Sequence, residues 1–79
     1  MRIDKFLKVA RIIKRRTIAN EAADNGRISV NGKIVKPSYE IKLNDIIEIK
    51  FGNQTSKFKI IAIPTKQSVR TDEVVEMID

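Results

Sequence analysis

The residues with the most chemical character are cations, and several lie side by side. Lys14, Arg15 and Arg16 are consecutive and lead into Thr17. Three adjacent cations cannot all face a core, so they project around a junction. Phosphate oxygens suit them, because a guanidinium binds phosphate through two parallel N–H bonds while lysine acts as a point charge. A cationic helix end, which favours the macrodipole by about 0.3–1 kcal/mol, explains Lys14 and Arg15 equally well and leaves Arg16 over. Arg2, Lys5, Lys8 and Arg11 continue the basic series towards the start of the chain, and Arg27, Lys33 and Lys36 continue it beyond. Catalytic chemistry has no comparable cluster. With no cysteine and no histidine, the chain has no thiol nucleophile, no His-based triad, no disulfide and no Cys/His zinc site. The acids Asp4, Glu21, Asp24, Asp45 and Glu48 fall in no catalytic motif, and Gly26, Gly32 and Gly52 make neither phosphate-loop pattern. An enzyme is not expected, and no metal or cofactor is called for.

The charge is concentrated. Of a net +6, residues 1–36 hold ten bases and three acids, an excess of +7, while residues 37–79 hold six bases and seven acids. Such asymmetry is the footprint of a surface that meets a polyanion. At 79 residues the chain is one small domain with little stability to spare. Its longest apolar run, Ile60–Ile63, is far short of the roughly 20 residues that span a bilayer, so a cytoplasmic protein is expected.

These cations have to be carried by specific elements. Ile3, Phe6, Leu7, Ala10 and Ile13 fall within an arc of about 120° on a helical wheel, the width of a core-facing stripe. Asp4, Lys5, Lys8 and Arg11 take the opposite arc, and Val9 and Ile12 fit neither cleanly. Thr17 reads as the N-cap of a second helix over Ile18–Asp24, stopped at Asn25–Gly26. Arg27–Val30, Asn31–Gly32 and Lys33–Lys36 form a hairpin pattern with a basic rim. A turn at Asn44–Asp45 precedes a strand over Ile46–Phe51, and a second strand runs over Lys57–Ile63 until Pro64 stops it. Thr71, Asp72 and Glu73 look like a helix start, followed by a weak stripe of Val74, Val75 and Ile78. The expected organisation is a domain over residues 1–64 and a short helix or tail over 65–79, whose acids Asp72, Glu73, Glu76 and Asp79 keep that end soluble.

The type of polyanion follows from what the basic face lacks. Phe6, Phe51 and Phe58 read as core, which leaves only Tyr39 for base stacking, so single-strand stacking is disfavoured. A helix-turn-helix DNA reader needs base-reading side chains on its second helix, and Ile18–Asp24 offers only Asn20 beside two acids. Anionic membrane is a weaker rival, because the apolar stripe of the first helix is needed for the core. Structured RNA, read through phosphates and 2′-hydroxyls, is the expected ligand, and neither DNA nor membrane is expected as a partner.

Four stretches then carry a family resemblance: Met1–Leu7, Arg15–Ala19, Gly26–Lys33 and Lys42–Ile47. In order and spacing they resemble the alpha-L RNA-binding motif, the domain of S-four type, over residues 1–51. The one departure is Asn44, where the family commonly has glycine; asparagine is the next best residue for positive φ. A chain of this length beginning at the motif is similar to the heat-shock-protein-fifteen family, and most of all to its short members that act in ribosome quality control. The resemblance implies an α+β fold, with two N-terminal helices packed on a small, mostly antiparallel sheet and a short helix or tail after it. It also implies a role on stalled, split large ribosomal subunits. There the partners are large-subunit rRNA, peptidyl-tRNA and an RqcH-type factor that adds a C-terminal alanine tail to the nascent chain. Arg2 and Arg16 are the first contacts it suggests; Lys8, Arg11, Lys14, Arg15 and Thr17 line the same face, and Asn31 and Lys33 touch backbone at the hairpin tip. Asp4 either orients Arg2 or Arg16 by an ion pair or favours the helix N-terminus. The remaining alternatives are a module of an RNA-modifying enzyme, a factor in ribosome assembly, and a small nucleic-acid-binding regulator. A monomer is expected.

Overall fold

A computed structural model describes residues 1–66 and 69–78, so Asp79 lies outside the described residues. Three helices, α1 (Ile3–Val9), α2 (Arg16–Asp24) and α3 (Thr71–Val74), accompany five strands: β1 (Ile28–Val30), β2 (Lys33–Ile34), β3 (Ile46–Phe51), β4 (Gln54–Ile60) and β5 (Val75–Ile78). All pairings are antiparallel and the sheet order is β2-β1-β3-β4-β5. This is the α+β arrangement expected from the sequence.

Period-two alternation sends Ile28 and Val30, Ile47 and Ile49, and Phe58 and Ile60 to one face of the sheet, where all six are buried. The opposing layer is the stripe of α1, with Ile3, Phe6, Leu7 and Ala10 fully buried, and Ala19, Ala22 and Ala23 of α2. Small side chains on α2 let it approach α1 closely, which brings the polar residues at the start of each helix within bonding distance.

Both helices end in the same way. In α2, the N–H of Gly26 bonds Ala23 and that of Arg27 bonds Ala22, with Gly26 at φ +72°, the Schellman geometry. In α1, the N–H of Arg11 bonds Lys8 and that of Ile12 bonds Leu7, with Arg11 in the left-handed position at φ +62°. The helical pattern through Ile13 therefore stops at Val9, and Ile13 is buried from the connection instead. Arginine seldom takes this conformation, so the stop carried no sequence signal.

Other expectations need correction. The N-cap of α2 is Arg15, not Thr17, and it makes no side-chain capping bond. Phe51 is not core: it is the last residue of β3 and is 43% exposed. Val74, Val75 and Ile78 are not a helical stripe, because the chain turns extended at Val75 and β5 pairs with β4. Val74 and Val75 enter the core, and the Thr71 hydroxyl donates to the Ala10 carbonyl at 2.7 Å, sealing the end of α1. Among the described residues, no helix is long and apolar enough to cross a membrane.

Candidate nucleic-acid interface

The polar centre of the helical layer is Asp4, in the first turn of α1. The wheel placed it on the outer arc; α2 packs over it, and its side chain is 2% exposed. Its Oδ2 accepts from Arg2 Nη2 at 3.2 Å and from Asn20 Nδ2 at 3.2 Å. Its Oδ1 accepts from the Lys5 backbone N–H at 2.8 Å and from Arg16 Nη2 at 3.4 Å. Burial alone would raise the Asp4 pKa, but the hydrogen bonds from Asn20, the Lys5 N–H and Arg16, with the charge of Arg16, outweigh it and hold the carboxyl below its ordinary value.

The elements explain the convergence. Arg2 precedes α1 in extended conformation, held by an antiparallel bridge to Glu40, so its side chain reaches Asp4 across the first turn. Arg16 opens α2 and Asn20 lies one turn later on the same face. Arg2, Asp4, Arg16, Thr17, Asn20 and Glu21 line an open cleft of about 420 Å³. The two arginine side chains are about half exposed, 48% and 47%, so each ion pair adds only about 0–1 kcal/mol to stability. Their value is geometric. Each guanidinium has five N–H donors, and contact with Asp4 through one nitrogen leaves others turned to solvent for a phosphate.

The structure brings Arg2, Arg16 and Thr17 together at this cleft. Lys8 and Arg11 are exposed on α1 and its end, Lys5 is half-buried, and Lys14 and Arg15 are exposed on the connection into α2. Arg27 follows α2, Lys33 is on the edge strand β2, and Lys36 follows it, all three exposed. Among the described residues, no side-chain hydrogen bond or ion pair joins these three to the cleft. A backbone link does: the residue after Lys36, Pro37, accepts the Asp4 N–H through its carbonyl at 3.3 Å. The Asn31 amide is committed within the fold, donating to Asp45 and accepting from Ile46 N–H. Asn20 is a site residue that the sequence reading does not single out for this cleft; its place one turn after Arg16 is the signal that it shares that residue's partner.

The S4 domain family matches residues 1–47, more than half of the chain. The chain belongs to this family. Among curated relatives, the RQC P-site tRNA stabilizing factor of Streptococcus pneumoniae is 49% identical over 77 residues, 98% of this chain and 85% of that one. The factor of the same name from Bacillus subtilis is 43% identical over 77 residues, covering 98% of this chain and 87% of its own. In fold, the chain is similar to trimeric Vibrio cholerae Heat Shock Protein 15, with a TM-score of 0.89 and 24% identity over 99% of this chain and 81% of that one. The resemblance read from Met1–Leu7, Arg15–Ala19, Gly26–Lys33 and Lys42–Ile47 is thereby borne out.

Proposed function

We propose that the protein is a non-catalytic RNA-binding factor of ribosome quality control, which holds peptidyl-tRNA against rRNA on split large subunits. In this reading it acts as a cytoplasmic, ribosome-associated monomer and supports alanine tailing of the nascent chain by an RqcH-type factor. The observation that carries it is the pair of half-exposed guanidinium groups, Arg2 and Arg16, held by one buried carboxylate at the cleft between α1 and α2. Preorganised arginine forks beside Lys8, Arg11, Lys14 and Arg15 suit the phosphates and 2′-hydroxyls of folded RNA, whose deep major groove excludes side chains. The names of the S. pneumoniae and B. subtilis relatives, both tRNA stabilizing factors, support the choice of tRNA.

The test is co-sedimentation of tagged protein through a sucrose gradient of cell lysate, followed by sequencing of the RNA it retains. Recovery with large subunits enriched in tRNA supports the reading. Recovery at the top of the gradient, with no RNA retained at low salt, refutes it.

A further inference from the structure

Asp45 is a second buried acid, 6% exposed and outside the cleft. Its Oδ2 accepts from the Lys42 backbone N–H at 2.9 Å, which closes its own turn. Two further donors reach it: Tyr39 Oη, from the same segment, bonds Oδ2 at 3.0 Å, and Asn31 Nδ2, from the hairpin turn, bonds Oδ1 at 3.1 Å. Asn31, at the hairpin turn with φ +52°, also accepts from Ile46 N–H at 3.0 Å and donates its own N–H to the Ile46 carbonyl at 2.9 Å. The Tyr39 carbonyl accepts the Ile3 N–H at 2.8 Å, and the Met1 carbonyl accepts the Ile41 N–H at 3.0 Å. One carboxylate thus ties the hairpin turn to the segment 37–45, and that segment is bonded along the residues that carry Arg2 and Asp4. A turn needs only the Lys42 bond; the Tyr39 bond holds the carboxylate within its segment, and the Asn31 bond joins that segment to the hairpin.

We infer that Asp45 is a positioning residue for nucleic-acid binding, fixing the hairpin that carries Lys33 and Lys36 relative to the Arg2–Arg16 cleft so that both groups of cations meet the phosphates of one RNA together. The inference rests on the RNA-binding reading above. Cations on one rigid body engage as linked contacts, each raising the effective concentration of the next, whereas on a loose hairpin Lys33 and Lys36 bind one at a time. Asp45 itself is too buried to touch RNA.

The experiment measures binding of fluorescently labelled tRNA by anisotropy over a range of salt, with thermal melts alongside. The variants are Asp45→Asn, Tyr39→Phe and Asn31→Gly, the last keeping a turn conformation that glycine favours. Asp45→Asn is expected to weaken binding about tenfold and to flatten the log–log salt slope by roughly 1–2, since each lost phosphate contact removes about 0.7–0.9. Adding Lys33→Ala with Lys36→Ala then costs nothing further, while adding Arg16→Ala costs its full amount. Tyr39→Phe keeps the carboxylate and shifts binding in the same direction by less, which preserves the test if Asp45→Asn fails to fold. An unchanged slope, with loss only in proportion to the unfolded fraction, overturns the inference and leaves a structural acid. Loss in Asn31→Gly with none in Asp45→Asn also overturns it, making Asn31 a direct contact. No binding by the wild-type protein at low salt defeats the RNA reading itself, before any variant is compared.

Discussion

Replacing Asp4 by asparagine sets orientation against bulk charge. The side chain is 2% exposed and accepts from four donors, Arg2, Asn20, Lys5 N–H and Arg16, between 2.8 and 3.4 Å. Asparagine keeps the shape and one acceptor oxygen, but its amide turns N–H groups towards a guanidinium or towards Asn20. Losing charge-assisted acceptance for partly buried donors costs about 1–3 kcal/mol in stability. For a domain of 60–100 residues that is a fall in Tm of roughly 4–8 °C per kcal/mol. The substitution also raises the net charge from +6 to +7, and charge alone would tighten binding to any polyanion. If Asp4 aims Arg2 and Arg16, binding weakens instead. Loss of about 1.4 kcal/mol of oriented contact is a tenfold rise in Kd. Anisotropy titration of labelled tRNA at fixed salt, below the melting temperature of the variant, separates the two. Equal or tighter binding by Asp4→Asn would refute the reasoning and reduce Asp4 to a helix-stabilising acid.

The depressed Asp4 pKa also sets a pH dependence. Its folded value lies below the ordinary 3.8, so its contribution is present above that value and is lost as pH falls through the folded pKa; melts of wild type and Asp4→Asn should converge in strong acid. A gap that stays constant down to the acid limit would contradict this. Asn44 sits at φ +73°, and Asn44→Gly should be neutral or stabilise by up to about 1 kcal/mol in urea unfolding, as glycine relieves the left-handed backbone. Val75→Ala should lower stability by about 2 kcal/mol, because the side chain is buried against the sheet; a loss below about 0.5 kcal/mol would mean that β5 is peripheral.

What the sequence made legible followed a simple physical division. Apolar periodicity located α1, β1 and β3, and Gly26 announced the end of α2, since glycine relieves a conformational restriction visible in one letter. The stop at Arg11 was hidden because the same left-handed geometry was taken by a residue that rarely adopts it. Val75–Ile78 was hidden for another reason: four residues are too few to show a period, and they are a strand by pairing with the edge of β4. Phe51 misled because an aromatic side chain is usually core, whereas this one stands exposed at the end of β3. At the site, Arg2 and Arg16 were legible as cations beyond helix-end needs. Asp4 was ambiguous between two roles, and Asn20 acquired its role only when α2 lay across α1. Buried polar groups whose partners lie 12 and 16 residues away cannot be assigned from local spacing.

The most direct measurement of the central claim is binding of labelled wild-type and Arg16→Ala protein to purified large ribosomal subunits carrying peptidyl-tRNA, titrated over salt. The account predicts that wild type binds with a steep salt dependence and that Arg16→Ala binds at least about tenfold more weakly, with stability changed by less than about 1 kcal/mol. Equal binding by the two proteins, or equal affinity of the wild type for duplex DNA, would contradict it.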